Sequence, residues 1–293
     1  MWIAFTLLAA WFQSMRTAHQ NTLSKQTGGL HATLARSLFG LPLVTLYLVV
    51  CWLFIGEIHQ LPDAAFYWLA ALGAVTQVVA TYLMLHLFKV QSFASGTLFS
   101  KTEALMTALL GLWLFATPLS LAAWVGVFIG VVGIIILSIK PGTGWQQLRQ
   151  VSTLIGLASG LCFAITSLTV ALASRQLEGH FMTRAGMTLV FVLAVQALLL
   201  WGIQAVKEKD LLSPFRAHFT LSHRVGMLSA VGSIGWFTAF SLTNPALVKT
   251  LGQIEVIGTL YYSKYRFAEP LRRQEWLGGG CIIFSVICVA LAV

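Results

Sequence analysis

Charged residues are scarce in this sequence. Asp, Glu, Lys and Arg make up 9% of its 293 residues, and 58% are hydrophobic, whereas soluble domains carry about 25% charged residues. No soluble fold of this size has enough interior to bury that much apolar surface, and the mean hydropathy is +0.83. The apolar runs are about 20 residues long and do not alternate, which excludes barrel strands. The composition therefore predicts an all-α polytopic membrane protein.

Motifs for catalysis and for metal binding are also lacking. The sequence has no phosphate-binding glycine loop, no nucleophile elbow and no paired-histidine zinc motif. Its four cysteines lie inside apolar runs and have neither metal nor disulfide spacing; they are Cys51, Cys162, Cys281 and Cys288. We therefore expect no enzymatic activity, no cofactor and no metal.

Acidic residues are half as numerous as basic ones, 9 against 18, which gives a net charge of +9. The basic residues cluster in short connections between apolar runs, so we expect contact with anionic lipid and no nucleic-acid partner. Alternate connections hold twelve basic residues, and the opposite face holds Arg175 and Arg184. By the positive-inside rule, this distribution predicts both termini outside the cytoplasm.

An internal duplication is present. The segment EALMTALLGLWLFATPLSLAAWVG from Glu103 and the segment EVIGTLYYSKYRFAEPLRRQEWLG from Glu255 match at 8 of 24 positions, at an offset of 152 residues. Composition alone would give about two matches. Each copy predicts a long apolar helix with one carboxylate, a tight Pro-Leu turn and a second apolar helix.

The apolar runs predict ten transmembrane helices, five in each copy. Because five is odd, the second copy must insert upside down, which makes the two copies inverted repeats. We predict a first five-helix repeat over 1–140, a linker over 141–150 and a second repeat over 151–293. The predicted helices lie at about 2–24, 30–54, 64–88, 93–115, 119–139, 151–173, 182–206, 225–242, 245–265 and 274–293, and the stretch 207–224 is a polar connection. Glycines within them, such as Gly126, Gly130 and Gly133, predict close helix packing.

Two carboxylates and four cations lie within the predicted spans. A charge at the bilayer centre costs about 2.5–3.5 kcal/mol, so most of these side chains are expected to face a shared polar interior. Glu103 and Glu255 are predicted to bind a proton or the substrate; a structural ion pair with an arginine or a lysine is the alternative. The cations are Arg16, Arg36, Lys101 and Lys249.

Lys101, Lys249 and Gln253 are predicted to contact substrate, and simple neutralisation of the carboxylates by the lysines is the alternative. Lys101 and Glu103 are two positions apart, about 200° around a helix, so they are expected not to pair. Arg16 shares one face of the first helix with Gln13. This polar stripe predicts a cavity lining, unless Arg16 already lies at the membrane interface.

The pattern resembles the EamA-like branch of the drug/metabolite transporter superfamily. The shared features are two five-helix halves, Arg36 followed by Pro42 in the second helix, and a Pro-Leu turn before Trp-x-Gly in both copies. Glu269 matches a glutamate that the family carries at this turn, but Thr117 stands at the first such position. The family's termini usually face the cytoplasm, contrary to the charge distribution here.

The resemblance implies a secondary active transporter in the inner membrane. We expect an exporter or exchanger of a small polar metabolite, amino acid or drug, coupled to protons, with alternating access around a midplane cavity. We expect a multi-pass monomer or homodimer whose partners are the small-molecule substrate and the lipid bilayer. Two alternatives remain: a flippase for lipids or lipid-linked sugars, and a membrane subunit without transport activity.

Overall fold

The computed structural model describes residues 1–56, 62–90, 93–115, 120–138, 151–207, 212–268 and 273–291. All thirteen elements in these ranges are α-helices. They are α1 (Trp2–Thr27), α2 (Gly29–Phe54), α3 (Ala64–Val90), α4 (Phe93–Ser100), α5 (Glu103–Phe115), α6 (Leu121–Ser138), α7 (Val151–Arg175), α8 (Phe181–Lys207), α9 (Ser213–Ala217), α10 (Phe219–Leu242), α11 (Pro245–Gly252), α12 (Glu255–Tyr265) and α13 (Arg273–Leu291).

Seven of the ten predicted helices have the predicted bounds to within three residues: α1, α2, α3, α6, α7, α8 and α13. Their long apolar runs and flanking polar residues were sufficient to locate them. The predicted linker 141–150 and both Pro-Leu turns, with Thr117 and Glu269, lie outside the described residues.

The prediction of a polar connection over 207–224 was partly wrong, because this stretch contains α9 and the start of α10. Pro214 stands in the first turn of α9, where its missing N–H costs no hydrogen bond. The ring of Phe215 is buried, and its centroid lies 5.8 Å from that of Phe39 on α2. The packing of Phe215 against Phe39 therefore stabilises a helix in a segment whose charged residues predicted a loop.

The prediction of continuous helices over 93–115 and 245–265 was also wrong. The first divides into α4 and α5, and the second into α11 and α12. The two breaks, at residues 101–102 and 253–254, are separated by the 152-residue offset of the duplication. At the second break, the N–H of Gln253 donates to Thr250 O at 3.1 Å, and the N–H of Ile254 donates to Leu251 O at 3.2 Å. These i→i−3 bonds are the tighter 3₁₀ pattern, which often marks a hinge within a helix.

Five of the described helices are long and apolar enough to cross a bilayer: α2, α3, α7, α8 and α10. The breaks shorten two further predicted spans, and α6 and α13 contain shorter apolar segments. These helices support a multi-pass membrane protein. The number of ten spans and the inverted arrangement remain predictions.

The helices form two compact units, and each unit combines segments from both halves of the sequence. Unit 1 comprises Met1–Val78 and Thr169–Leu242, and unit 2 comprises Val79–Leu168 and Thr243–Val293. In unit 2, small buried side chains of α5, α6 and α11 meet in one cluster. In unit 1, α2 and α10 approach closely at Gly40 and Gly226, where a methyl group on Gly226 would lie 2.3 Å from Phe39 Cβ.

This close approach predicts opposite effects for one substitution at two helical glycines. We expect Gly226→Ala to destabilise the protein by about 1–3 kcal/mol, because an added methyl group overpacks the helix crossing. Gly202 on α8 has nothing within 4 Å of the same position. Gly202→Ala should be neutral or stabilising by up to about 1 kcal/mol, since alanine favours helix. Thermal unfolding in detergent tests both; equal melting temperatures for the two variants would contradict the close crossing.

Candidate functional site: a buried charge cluster at two helix breaks

Unit 2 contains a buried cluster of two lysines and two glutamates. The ammonium of Lys101 lies 2.5 Å from Glu255 Oε2 and 3.9 Å from Glu103 Oε1. The ammonium of Lys249 lies 3.2 Å from Glu103 Oε2. The charges therefore alternate in the order Glu255, Lys101, Glu103, Lys249. All four residues are at most 7% exposed.

The breaks place each charge near the helix end that favours its sign. A helix carries partial positive charge at its N-terminus and partial negative charge at its C-terminus. Glu103 and Glu255 are the first residues of α5 and α12, whereas Lys249 lies in the last turn of α11 and Lys101 directly follows α4. The lysine of each break pairs with the glutamate of the other break. The ion pairs therefore join the two discontinuous helices.

Local sequence explains where these helices end and begin. The hydroxyl of Ser100 donates a 2.6 Å hydrogen bond to Thr97 O, and such side-chain bonds compete with the helical ladder. The next helix pair starts after Asn244, whose side chain accepts a 2.9 Å bond from a backbone N–H of the first turn. Its first half ends at Gly252, which has low helix propensity.

The expectation that Lys101 and Glu103 cannot pair was wrong. It assumed a regular α-helix, in which residues two apart differ by about 160° by the shorter way round. The N–H of Ala104 instead donates to Lys101 O at 3.3 Å, an i→i−3 bond. At three residues per turn the same separation falls to about 120°. The side chains of Lys101 and Glu103 are long enough to close this gap, and Lys101 Nζ lies 3.9 Å from Glu103 Oε1.

Each break lies against a glycine of a neighbouring helix in unit 2. A methyl group on Gly160 of α7 would lie 2.5 Å from the hydroxyl of Thr102. A methyl group on Gly130 of α6 would lie 2.6 Å from Gln253 Oε1 and 2.7 Å from Ser285 Oγ. Because glycine has no side chain, Gly160 and Gly130 leave space that the polar side chains of the breaks occupy.

The second break carries buried polar atoms without hydrogen bonds. Gln253 is 1% exposed, and neither its Nε2 nor its Oε1 has a hydrogen-bond partner among the described residues. The same holds within that part of the chain for the hydroxyl of Thr259, which is 1% exposed. Its counterpart in the duplication, Thr107, donates to Glu103 O at 2.7 Å. Each unsatisfied buried group costs about 1–3 kcal/mol, so a solute or water that bonds to Gln253 would recover part of that cost.

The remaining predicted site residues, Arg16 and Gln13, belong to unit 1. Gln13 Oε1 accepts a 3.0 Å hydrogen bond from the indole of Trp236. Arg16 is 4% exposed and interacts electrostatically with Arg36, whose Nε donates a 3.1 Å bond to Ser229 Oγ. These contacts tie α1 and α2 to α10, and a role in substrate binding remains a prediction for both residues.

Three residues beside the breaks were not predicted as part of the site. They are Gly130, Gly160 and Ser285, and the hydroxyl of Ser285 donates a 2.5 Å bond to Gly126 O on α6. For Gly130, the sequence predicts only close helix packing. The breaks require small residues on the neighbouring helices. Sequence reasoning could not identify these residues, because it did not predict the breaks. Among the described residues, no group of three or more His, Cys, Asp or Glu side chains is placed to bind a metal.

The charge cluster predicts a strong coupling between Lys101 and Glu255. Lys101→Met should destabilise the protein by about 3–5 kcal/mol, because it leaves the buried carboxylate of Glu255 without its cation. The double variant Lys101→Met/Glu255→Gln removes both partners and should recover most of that loss. Lys89→Met, at an exposed lysine of α3, is the control and should be neutral. Unfolding in detergent is measured for these three variants, for Glu255→Gln and for the wild type, and additive effects of Lys101→Met and Glu255→Gln would refute the coupling.

Comparison with known proteins agrees with this architecture. A solved crystal structure of a protein superposes with a TM-score of 0.70 at 12% sequence identity, covering 98% of this chain and 96% of that one. At such low identity the match supports the fold alone. No curated protein matches the sequence. Residues 1–139 match the model of the EamA-like transporter family. Over these residues the chain is therefore similar to the EamA-like transporters of the drug/metabolite transporter superfamily.

Proposed function

We propose that the chain is a secondary active transporter of a small polar metabolite, amino acid or drug, and that the solute binds at the charge cluster of unit 2. The observation that carries this proposal is the position of the cluster. It lies at two helix breaks that occupy equivalent positions in a duplicated sequence. Discontinuous helices at equivalent positions of repeats are a recurrent feature of transporter binding sites. We further infer that the two copies insert with opposite orientation in the inner membrane.

Stability alone does not account for the cluster. Replacing a buried ion pair by well-packed apolar side chains is often neutral or stabilising. In a lipid-spanning helix the cost of each charge is about 2.5–3.5 kcal/mol on insertion scales, and ionisable residues there usually serve a pathway. Lys101, Glu103, Lys249 and Glu255 are all buried in this state. Charges that are so costly are most easily explained by an exchange of partners during transport.

The exchange can proceed in two ways from this geometry. Protonation of Glu255 removes its negative charge and releases the ammonium of Lys101, which lies 2.5 Å away, to an anionic group of the solute. Alternatively, a cationic group of the solute displaces Lys249 from Glu103, a pair separated by 3.2 Å. Either step breaks an ion pair between the two discontinuous helices, and the breaks can then bend as hinges during alternating access.

The carboxylates provide the first test of transport. In proteoliposomes supplied with a metabolite mixture, we expect the wild type to take up at least one polar solute. Glu103→Gln and Glu255→Gln should each lower that uptake about tenfold or more. This factor corresponds to the free energy of one hydrogen bond to a charged group. Glu178→Gln removes an exposed carboxylate of unit 1 and should leave uptake unchanged.

Equal uptake by the wild type and both cluster variants would refute the site. A wild type that moves no soluble solute but moves labelled lipid would favour a flippase, and one that moves neither would favour a subunit without transport activity. A proton gradient of either sign, imposed across the same vesicles, tests proton coupling: coupling predicts that the gradient changes the uptake rate of the wild type.

The amide of Gln253 gives a second test that separates binding from stability. Gln253→Met keeps the volume and removes two buried polar atoms that have no partner among the described residues. We expect the melting temperature to stay equal or rise, because an unsatisfied buried group is removed. If the amide bonds the solute, the apparent KM should rise about tenfold at unchanged protein stability. A lower melting temperature with unchanged KM would instead assign the amide a structural role.

A further inference from the structure

A groove separates α12 and α13 on the exposed side of unit 2. It has a volume of about 400 Å³ and is lined by nine described residues, most of them apolar or aromatic. Three large aromatic side chains stand at its walls with more than half of their surface exposed: Tyr261 (58%), Tyr265 (67%) and Trp276 (67%). In a membrane protein such a surface faces lipid, and exposed Tyr and Trp concentrate at the headgroup level.

Two glycines of α13 line the groove. A methyl group on Gly279 would lie 3.5 Å from Leu260 Cδ1, in ordinary contact, whereas a methyl group on Gly280 would meet nothing within 4 Å. Gly280 therefore leaves open space between the two helices. A chain of methylene groups fits such space, because its dispersion contacts require an apolar wall and no hydrogen bonds.

The basic residues lie at one end of the groove. Among its nine described lining residues Lys264 carries the charge, and its ammonium lies 5.2 Å from the centre of the Tyr265 ring. Exposed Arg266 directly follows α12, and exposed Arg273 begins α13. One end of the groove is thus cationic and the rest is apolar, which is complementary to an anionic amphiphile.

We propose that this groove binds one anionic phospholipid from the surrounding bilayer. Its phosphate would pair with Lys264 at the aromatic end, and an acyl chain would lie over Gly280. A second copy of the chain fits less well, because a two-fold symmetric contact through this groove would bring the exposed, like-charged Lys264 of each copy to the same contact. Basic residues that flank lipid-facing helices attract anionic headgroups, and the net charge of +9 favours the same lipids.

Native mass spectrometry of the full chain tests the proposal. The protein is equilibrated with equal amounts of phosphatidylglycerol and phosphatidylcholine in mixed micelles. We expect the wild type to retain one phosphatidylglycerol preferentially. Lys264→Gln should lower that preference about fivefold, as expected for one basic residue near an anionic surface. Gly280→Leu should fill the groove and abolish retention.

Gly202→Leu is the matched control, because Gly202 is exposed on α8 and has nothing within 4 Å of its missing side chain. It adds the same bulk elsewhere and should retain lipid like the wild type. Retention that is unchanged in Gly280→Leu and in Lys264→Gln would overturn the proposal. So would a dimer that is lost with Gly280→Leu, since a second copy would then occupy the groove. Glu103→Gln should retain lipid normally, so failure of the transport proposal is distinguishable from failure of this one.

Discussion

The ion pair between Lys101 and Glu255 is the interaction on which the arrangement of unit 2 depends. A single buried charge within apolar helices would carry the full cost of desolvation, and here each charge lies beside an opposite one. The pairing requires both discontinuous helices to be in place together. The breaks allow it, because they bring Glu103 at the start of α5 to Lys249 of α11 and Glu255 at the start of α12 to Lys101 after α4. The buried charges can therefore be paired only if the helices are broken at these positions and packed against each other.

The two copies of the duplication contribute some equivalent residues to the site and some different ones. Glu103 and Glu255 are equivalent, and each begins the second half of a broken helix. Lys101 and Gln253 are also equivalent, yet one is an ion-paired cation and the other a buried amide without a described partner. The shared features maintain the breaks. The differences make the two breaks chemically distinct: at this pair of equivalent positions the first break carries an ammonium and the second a neutral amide.

The sequence was sufficient to locate most helices but not to describe the site in detail. Long apolar runs gave seven helices nearly correctly, because hydropathy reports directly on solvation. The breaks were not predictable from hydropathy, since the residues on both sides remain apolar. The error about Lys101 and Glu103 has the same origin, because an angular separation of about 200° holds only within a regular α-helix. Phe215 illustrates the converse case, in which tertiary packing against Phe39 fixes a helix within a charged stretch.

Glycine shows why pattern alone leaves such ambiguity. The glycines of the apolar helices all predict close packing, but their surroundings assign them different roles. Gly226 permits two backbones to approach, Gly130 makes room for the amide of Gln253, and Gly280 faces open space between α12 and α13. The absence of a side chain thus allows a close helix contact, makes room for a polar side chain or leaves a groove. Which of these occurs depends on the residues opposite the glycine. That neighbour belongs to another helix, so tertiary structure rather than local sequence decides the function of each glycine.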